Sequence, residues 1–251
     1  MNRKKIIKRK EKLVSVIIPT YNRFSYLLNT IKYIKSQTYK NIEIIVVNDC
    51  STQKEYYDYD WESQKIIIIN LPENSKKKFG FACPGGYQRN FGIEKSKGEY
   101  IAFCDDDDIW LPKKLELQIR EMEKTGLEMS STEGFVGKGI YDPQKKYKKY
   151  NEENCYETLK NIYSRKRKLN LFLESFEKCI WGIEFLRIHN CMICSSVVIS
   201  KNVVNKTGKF IIAKRSEDYD YWLRASIHTK SIYIKEPCFY YDDGHGDGQN
   251  Y

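Results

Sequence analysis

The sequence predicts a single α/β domain built on a mainly parallel central sheet flanked by helices. Three observations carry that expectation. Apolar runs of strand length recur through the first half of the chain, at Val14–Ile18, Ile42–Val47, Lys65–Leu71 and Tyr100–Cys104. Helix-patterned segments separate them, and strands buried on both faces between helices indicate a parallel sheet. With 251 residues, 41% hydrophobic and 30% charged, the chain has the length and composition for one sizeable core.

Each element follows from its local pattern. Val14–Ile18 is β-branched and stops at Pro19, which has no backbone N–H to give a ladder. Phe24–Gln37 sets Leu27, Leu28, Ile31 and Ile34 on one helical face. The strand Ile42–Val47 ends in Asn48-Asp49-Cys50-Ser51, and Lys65–Leu71 is the third strand. After the loop Pro72–Gly86, a helix around Gln88–Ser96 leads through Gly98 into Tyr100–Cys104. Pro112, at a favoured first-turn position, opens a helix that runs to Lys124. Beyond it the pattern weakens. Asp142–Lys168 is polar and lysine-rich and reads as a helical insertion or mobile loop; Met192–Ser200 is strand-like, Asp218–Ile227 helical and Ser231–Ile234 a short strand. The expected organisation is a basic tail at 1–12, one domain at 13–241 and a glycine-rich loop at 242–251.

Composition narrows the partners. The net charge of +10 is spread over Met1–Lys12, Lys76–Lys78, Lys145–Lys149 and Arg165–Lys168, which read as solvated loops or ends more than as one stripe. Attraction to anionic partners is expected, specific nucleic-acid binding is not. The eight cysteines are scattered and read as reduced thiols; Cys191 and Cys194 form one CxxC with no second pair to complete a zinc site. No apolar run approaches the ~20 residues of a spanning helix, so the expectation is a cytoplasmic protein without signal peptide or membrane anchor.

In open α/β sheets ligands bind beyond the carboxyl ends of the strands. Thr20–Arg23, Asn48–Ser51 and Asp105–Asp108 all follow strand ends, so three polar segments converge on one edge. The run "IAFCDDDDIW" places four carboxylates side by side. Neighbours about 5 Å apart repel by roughly 0.8 kcal/mol even in water. Two readings fit: a solvated acidic turn, or a site for a hard divalent cation.

The blocks "VSVIIPTYNR" (14–23), "IEIIVVNDCS" (42–51), "RNFGIEKSKGEYIAFCDDDDIWLP" (89–112), "SSVVISKNVVNKTGKF" (195–210) and "SEDYDYWLRA" (216–225) resemble, in order, those of glycosyltransferase family 2. The resemblance spans about residues 13 to 241. It implies a GT-A fold, with a nucleotide-binding half at 13–124 and an acceptor-binding half at 125–241. It also implies inverting transfer from a nucleotide sugar, with a divalent metal such as Mn²⁺ or Mg²⁺.

Residue by residue, the resemblance gives Asp105-Asp106-Asp107 the place of the DxD element. Asp107 is then a metal ligand, Asp105 serves ribose or metal, and Asp106 sits at the variable position. Asp108 matches a frequent second acidic residue, or caps the helix near Pro112. Thr20, Tyr21, Asn22 and Arg23 match the first nucleotide-contacting loop, in which Tyr21 could stack on a base and Asn22 cap the following helix. Asp49 matches the acceptor for a uracil ring; Cys50 stands where relatives carry glycine or asparagine. Arg89 and Asn90 match an Arg-Asn pair behind the site. Glu217-Asp218 resembles the acidic pair that supplies the base, with Asp218 as general base and Glu217 supporting acceptor or helix. Acidic residues there, with Ser216 as N-cap, would also suit a helix start. His245 lies where some relatives place a late histidine on metal or diphosphate, and Asn190 where a polar residue faces substrate. The resemblance thus implies a hexosyl- or N-acetylhexosaminyltransferase using a UDP-sugar and an acceptor hydroxyl of a glycan, protein or lipid-linked glycan. A metal-dependent nucleotidyltransferase and a non-catalytic nucleic-acid-binding protein remain as alternatives.

Overall fold

The computed structural model describes residues 11–83 and 85–245. The first half alternates strand and helix: β1 (Val14–Thr20), α1 (Phe24–Lys35), β2 (Ile42–Asn48), the short α2 (Glu55–Asp58), β3 (Ile66–Asn70), α3 (Ser75–Phe79), α4 (Gly86–Lys95) and β4 (Tyr100–Phe103); α2 is not among the expected elements, and α3 falls inside the expected loop Pro72–Gly86. β5 (Ile109–Trp110), α5 (Lys114–Thr125), β6 (Met129–Gly137) and β7 (Lys148–Lys149) follow. Then come α6 (Tyr156–Arg165), α7 (Leu169–Lys178), β8 (Ile180–Trp181), α8 (Ile183–Leu186), β9 (Val198–Ser200), α9 (Lys201–Thr207), α10 (Glu217–Ala225) and β10 (Ser231–Asp242).

All the strands join one sheet in the order β3-β2-β1-β4-β9-β6-β10-β5, with β7 beside β6 and β8 beside β10. The β3-β2-β1-β4 half is parallel. β9 then runs antiparallel to both β4 and β6, so the sheet is mixed rather than mainly parallel. Register fixes the site: Thr20 lies opposite Asn48, and Ile17 opposite Phe103, so β1, β2 and β4 deliver their following loops to the same edge. The period of two is visible in β1, where Ile17 faces one core and Val14, Val16 and Ile18 face the other.

The second half is held differently. β6 buries Ser130, Ser131, Thr132 and Glu133, polar residues that a pattern reading does not assign to a core strand. Their partners explain it. Gln118 of α5 donates to the Ser130 carbonyl and hydroxyl at 3.3 and 3.0 Å. Glu133 accepts from the backbone N–H groups of Asn151 and Glu152 at 2.9 and 2.8 Å and from the Tyr233 hydroxyl at 2.7 Å. It thereby caps a π-helical turn at Tyr150–Cys155, inside the segment expected to be a helical insertion or mobile loop. β10 continues through Pro237 with two register shifts, well past the expected end at Ile234. It also takes in Asp242, the first residue of the expected terminal loop; residues 246–251 of that loop and 1–10 of the basic tail lie outside the described residues.

Candidate functional site

The loops after β1 and β4 and the N-terminus of α10 surround an open cavity of about 460 Å³. Asp105, Asp106, Asp107, Glu217 and Asp218 contribute carboxylates to it, and Arg23, Arg89, Lys214 and Arg215 contribute cations. The aspartate run is not a solvated turn. Asp106 and Asp108 are 4% and 1% exposed. Thr30 of α1 anchors the turn by donating to the Asp106 and Asp108 carbonyls, both at 2.9 Å.

Arginines answer the charge that the tetrad accumulates. Arg23 donates to Asp107 at 2.5 Å and lies 3.4 Å from Asp106. Arg89, 2% exposed, donates to Asp105 at 2.6 Å and to Glu217 at 3.0 Å, joining the β4 loop to α10. Thr20 donates to Asp106 at 2.7 Å, which leaves the Tyr56 hydroxyl as donor to Thr20 at 2.6 Å. Burial pushes the Asp106 carboxyl up to about 7 despite Arg23 and Thr20. Burial likewise raises Asp107, against the pull of Arg23. Asp108 is raised well above the carboxylate range by burial and by Asp107 and Asp105. Its Oδ2 is buried with no hydrogen-bond partner among the described residues.

The acidic pair at α10 divides its roles. Glu217 is 3% exposed and ion-paired with Arg89, yet burial outweighs that partner and lifts it to about 7. Asp218 accepts from the Tyr219 N–H at 2.7 Å and from Asn190, and burial raises its carboxyl. Asn190, read as substrate-facing, is thus beside Asp218. Ser216 takes the N-cap position in a left-handed conformation, φ 58°, and its side chain makes no cap bond. Helix capping therefore does not account for the Ser-Glu-Asp run.

Two glycines make the arginine bridge possible. A Cβ on Gly85 would lie 2.8 Å from the Arg89 guanidinium, and one on Gly86 2.5 Å from Glu217 Cγ. Neither glycine was singled out by sequence pattern, nor were Lys214, Arg215 and Tyr241 of the cavity wall. The Lys-Arg pair directly before Ser216 was the available signal.

Other expected contacts fall elsewhere. Asn22, φ 50°, does not cap α1; its side chain accepts from Thr52 N–H at 2.7 Å, bracing the loop after β2. Asp108 does not cap α5, where Gln37 Oε1 instead accepts from the Leu115 N–H of the first turn at 3.1 Å; Asp108 accepts from the Asp242 N–H at 3.3 Å. Tyr21 and Asp49 are not in the cavity wall. Asp49 is 1% exposed, and its oxygens accept from Asn74 and from the Ser75 backbone and hydroxyl, fixing the start of α3. Cys50 adopts φ 59°, a left-handed conformation that glycine or asparagine takes more easily. Asn90 bonds the Phe210 backbone in both directions, a structural role.

A divalent cation would need the carboxylates that the arginines hold. Asp105, Asp107 and the nearby His245 are suitable donors in kind, and His245 Nδ1 lies 3.9 Å from Asp107. Arg23 and Arg89 occupy both carboxylates, and among the described residues no three His, Cys, Asp or Glu side chains converge as a metal-binding set.

Comparison with known proteins agrees with this architecture. The chain is 36% identical over 168 residues to an uncharacterized glycosyltransferase of Rickettsia bellii, covering 66% of the chain and 21% of that protein, so it spans about a fifth of the relative's length. Its fold is similar to that of S. aureus TarS 1-349 in complex with UDP-GlcNAc, with a TM-score of 0.62 at 17% identity, covering 92% of this chain and 58% of the other. It is similar also to the mannosyltransferase PcManGT from Pyrobaculum calidifontis in complex with GDP-Man and Mn²⁺, with a TM-score of 0.58 at 14% identity, covering 90% and 55%. The fold is that of the GT-A proteins. The model of the family described as Glycosyl transferase family 2 matches residues 15–180, well over half of the chain, and the chain belongs to that family.

Proposed function

We propose that the chain is an inverting glycosyltransferase that moves a sugar from a UDP-sugar to an acceptor hydroxyl, with Asp218 as general base. One observation carries the reading: Asp218 and the Asp105–Asp107 loop face the same cavity from opposite elements, α10 and the end of β4. Asp218 takes the proton as the acceptor oxygen attacks the anomeric carbon from the side opposite the leaving group, and a single displacement inverts the configuration. Glu217, held by Arg89, positions α10 and the acceptor. Its Oε1 is engaged by the Arg89 guanidinium at 3.0 Å, which ties it to the framework and leaves Asp218 the freer carboxylate. Lys214 and Arg215 at the rim attract the anionic donor. The donor class is in keeping with the nucleotide sugars named for the two fold neighbours. Family membership favours glycosyl transfer over nucleotidyl transfer and over nucleic-acid binding.

In this reading Asp107 and Asp105, with His245 alongside, would hold a Mn²⁺ or Mg²⁺ ion. When bound it supplies Lewis-acid stabilisation to the departing diphosphate. Arg23 must release Asp107 for that to happen. Titration of UDP with and without Mn²⁺, on wild type and Asp107→Ala, is expected to show tight binding only for wild type with metal. Equal affinity in all four titrations overturns the metal assignment.

The uridine preference rests on Asp49 and the adjoining Thr20–Asn22 loop. A base reaching Asp49 shares it with Asn74 and Ser75. Loss of a hydrogen bond to a charged group costs about 1.5–3 kcal/mol, so Asp49→Ala should weaken UDP roughly 10- to 150-fold. GDP binding wild type more tightly than UDP would refute this choice of donor. Release of nucleoside diphosphate across a panel of UDP-hexoses and UDP-N-acetylhexosamines identifies the sugar.

A further inference from the structure

Beside the cavity mouth the surface changes character. Ile211 and Ile212 are consecutive and 44% and 45% exposed, on the segment that joins α9 to α10. Single exposed aliphatic residues are ordinary; here two stand side by side next to the site's mouth. Bases surround it. Lys214 Nζ lies 5.6 Å over the Phe81 ring, tying this segment to the α3–α4 loop, and Lys78 lies 5.5 Å over Tyr87. Lys76 and Lys77 of α3, and Lys209 and Arg215 of the α9–α10 connection, are exposed as well. Among these bases, Lys77 lies 3.6 Å from Glu73 and Lys209 lies 2.6 Å from Glu94.

We propose that the Ile211–Ile212 segment and the Lys76–Lys78 cluster together form a docking surface for an anionic lipid bilayer. Aliphatic side chains flanked by lysine and arginine match such an interface: the isoleucines enter the acyl boundary while the bases meet anionic headgroups. The charge selects among partners. A second copy of this chain would set like charge against like, and a nucleic acid would leave the isoleucines without an apolar partner. Lys214 and Arg215 also line the cavity, so docking turns the site's mouth towards the headgroups. The surface stands apart from the sugar-transfer reading, because bilayer binding can be measured without turnover.

The test is sedimentation of the full chain with phosphatidylcholine vesicles and with vesicles containing phosphatidylglycerol. Binding is expected only to the latter, and to weaken as salt is raised. Ile211→Ser/Ile212→Ser should weaken it about tenfold or more. Lys76→Gln/Lys78→Gln should weaken it about 25-fold, near fivefold for each charge. UDP affinity of the isoleucine variant, whose altered side chains are outside the cavity wall, should match wild type and so confirm its fold. Equal binding to both vesicle types overturns the proposal. So does vesicle binding that neither double variant changes, since the basic N-terminal segment common to all variants would then be responsible. Self-association that the isoleucine variant abolishes, or RNA binding stronger than vesicle binding, assigns the surface to another partner and also overturns it.

Discussion

Asp218→Asn is expected to leave donor affinity and melting temperature near wild type while transfer falls by roughly 10²- to 10⁴-fold, equivalent to about 3–5 kcal/mol in the barrier. The asparagine keeps an oxygen for the Tyr219 N–H and an amide beside Asn190, so the start of α10 loses little. What it loses is basicity. If the carboxylate served only as a favourable charge in the first helical turn, the change would cost about 0.3–1 kcal/mol of stability and leave transfer intact. Single-turnover assays with saturating donor, set beside UDP titrations of the same variant, separate the two. Retention of more than about a tenth of wild-type transfer moves the base elsewhere. Glu217 is then the next candidate, because it shares the cavity; Asp220 is ion-paired with Arg224 at 2.7 Å.

The parts of the molecule legible in the sequence are those in which local pattern and tertiary role coincide. β1, β2, β3 and β4 are apolar because both of their faces are covered, and their polar successors fall at one edge because parallel strands end on the same side. The acceptor half offers no such coincidence. β6 is buried but polar, and its serines and Glu133 are satisfied by Gln118 and the Tyr150–Cys155 turn, partners remote in sequence. β10 carries Glu236-Pro237 in its middle, where pattern reading stops and the chain instead shifts register. At the site, residue types were readable and pairings were not. Four adjacent aspartates announce a charge problem. Whether a cation or an arginine answers it depends on where Arg23 and Arg89 lie, one in the loop that enters α1 and the other on α4.

That arginine framework makes Arg89 the residue whose loss should damage the fold most. Arg89→Met removes the cation between Asp105 and Glu217 and leaves Glu217, 3% exposed, as an uncompensated buried acid. Removing one partner of a buried ion pair destabilises by about 3–5 kcal/mol. The pH dependence gives the cause away. Glu217 titrates from an ordinary value of 4.5 in the unfolded chain and from about 7 in the fold, where burial raises it and Arg89 is the largest influence holding it down. Without Arg89 its folded value rises further, so the variant binds this proton more tightly when folded than when unfolded. The stability so gained is fully present below pH 4.5 and is lost as pH rises through the folded value. The deficit of Arg89→Met against wild type should therefore be small in acid and widen towards pH 8. Adding Glu217→Gln removes the orphaned charge and should recover much of the loss at high pH while changing little in acid. Chemical denaturation of the three proteins across pH checks this. A deficit independent of pH, or one that Glu217→Gln does not relieve, would show that Arg89 acts through packing against Phe210, whose ring lies 5.8 Å from its guanidinium carbon, and not through the ion pair.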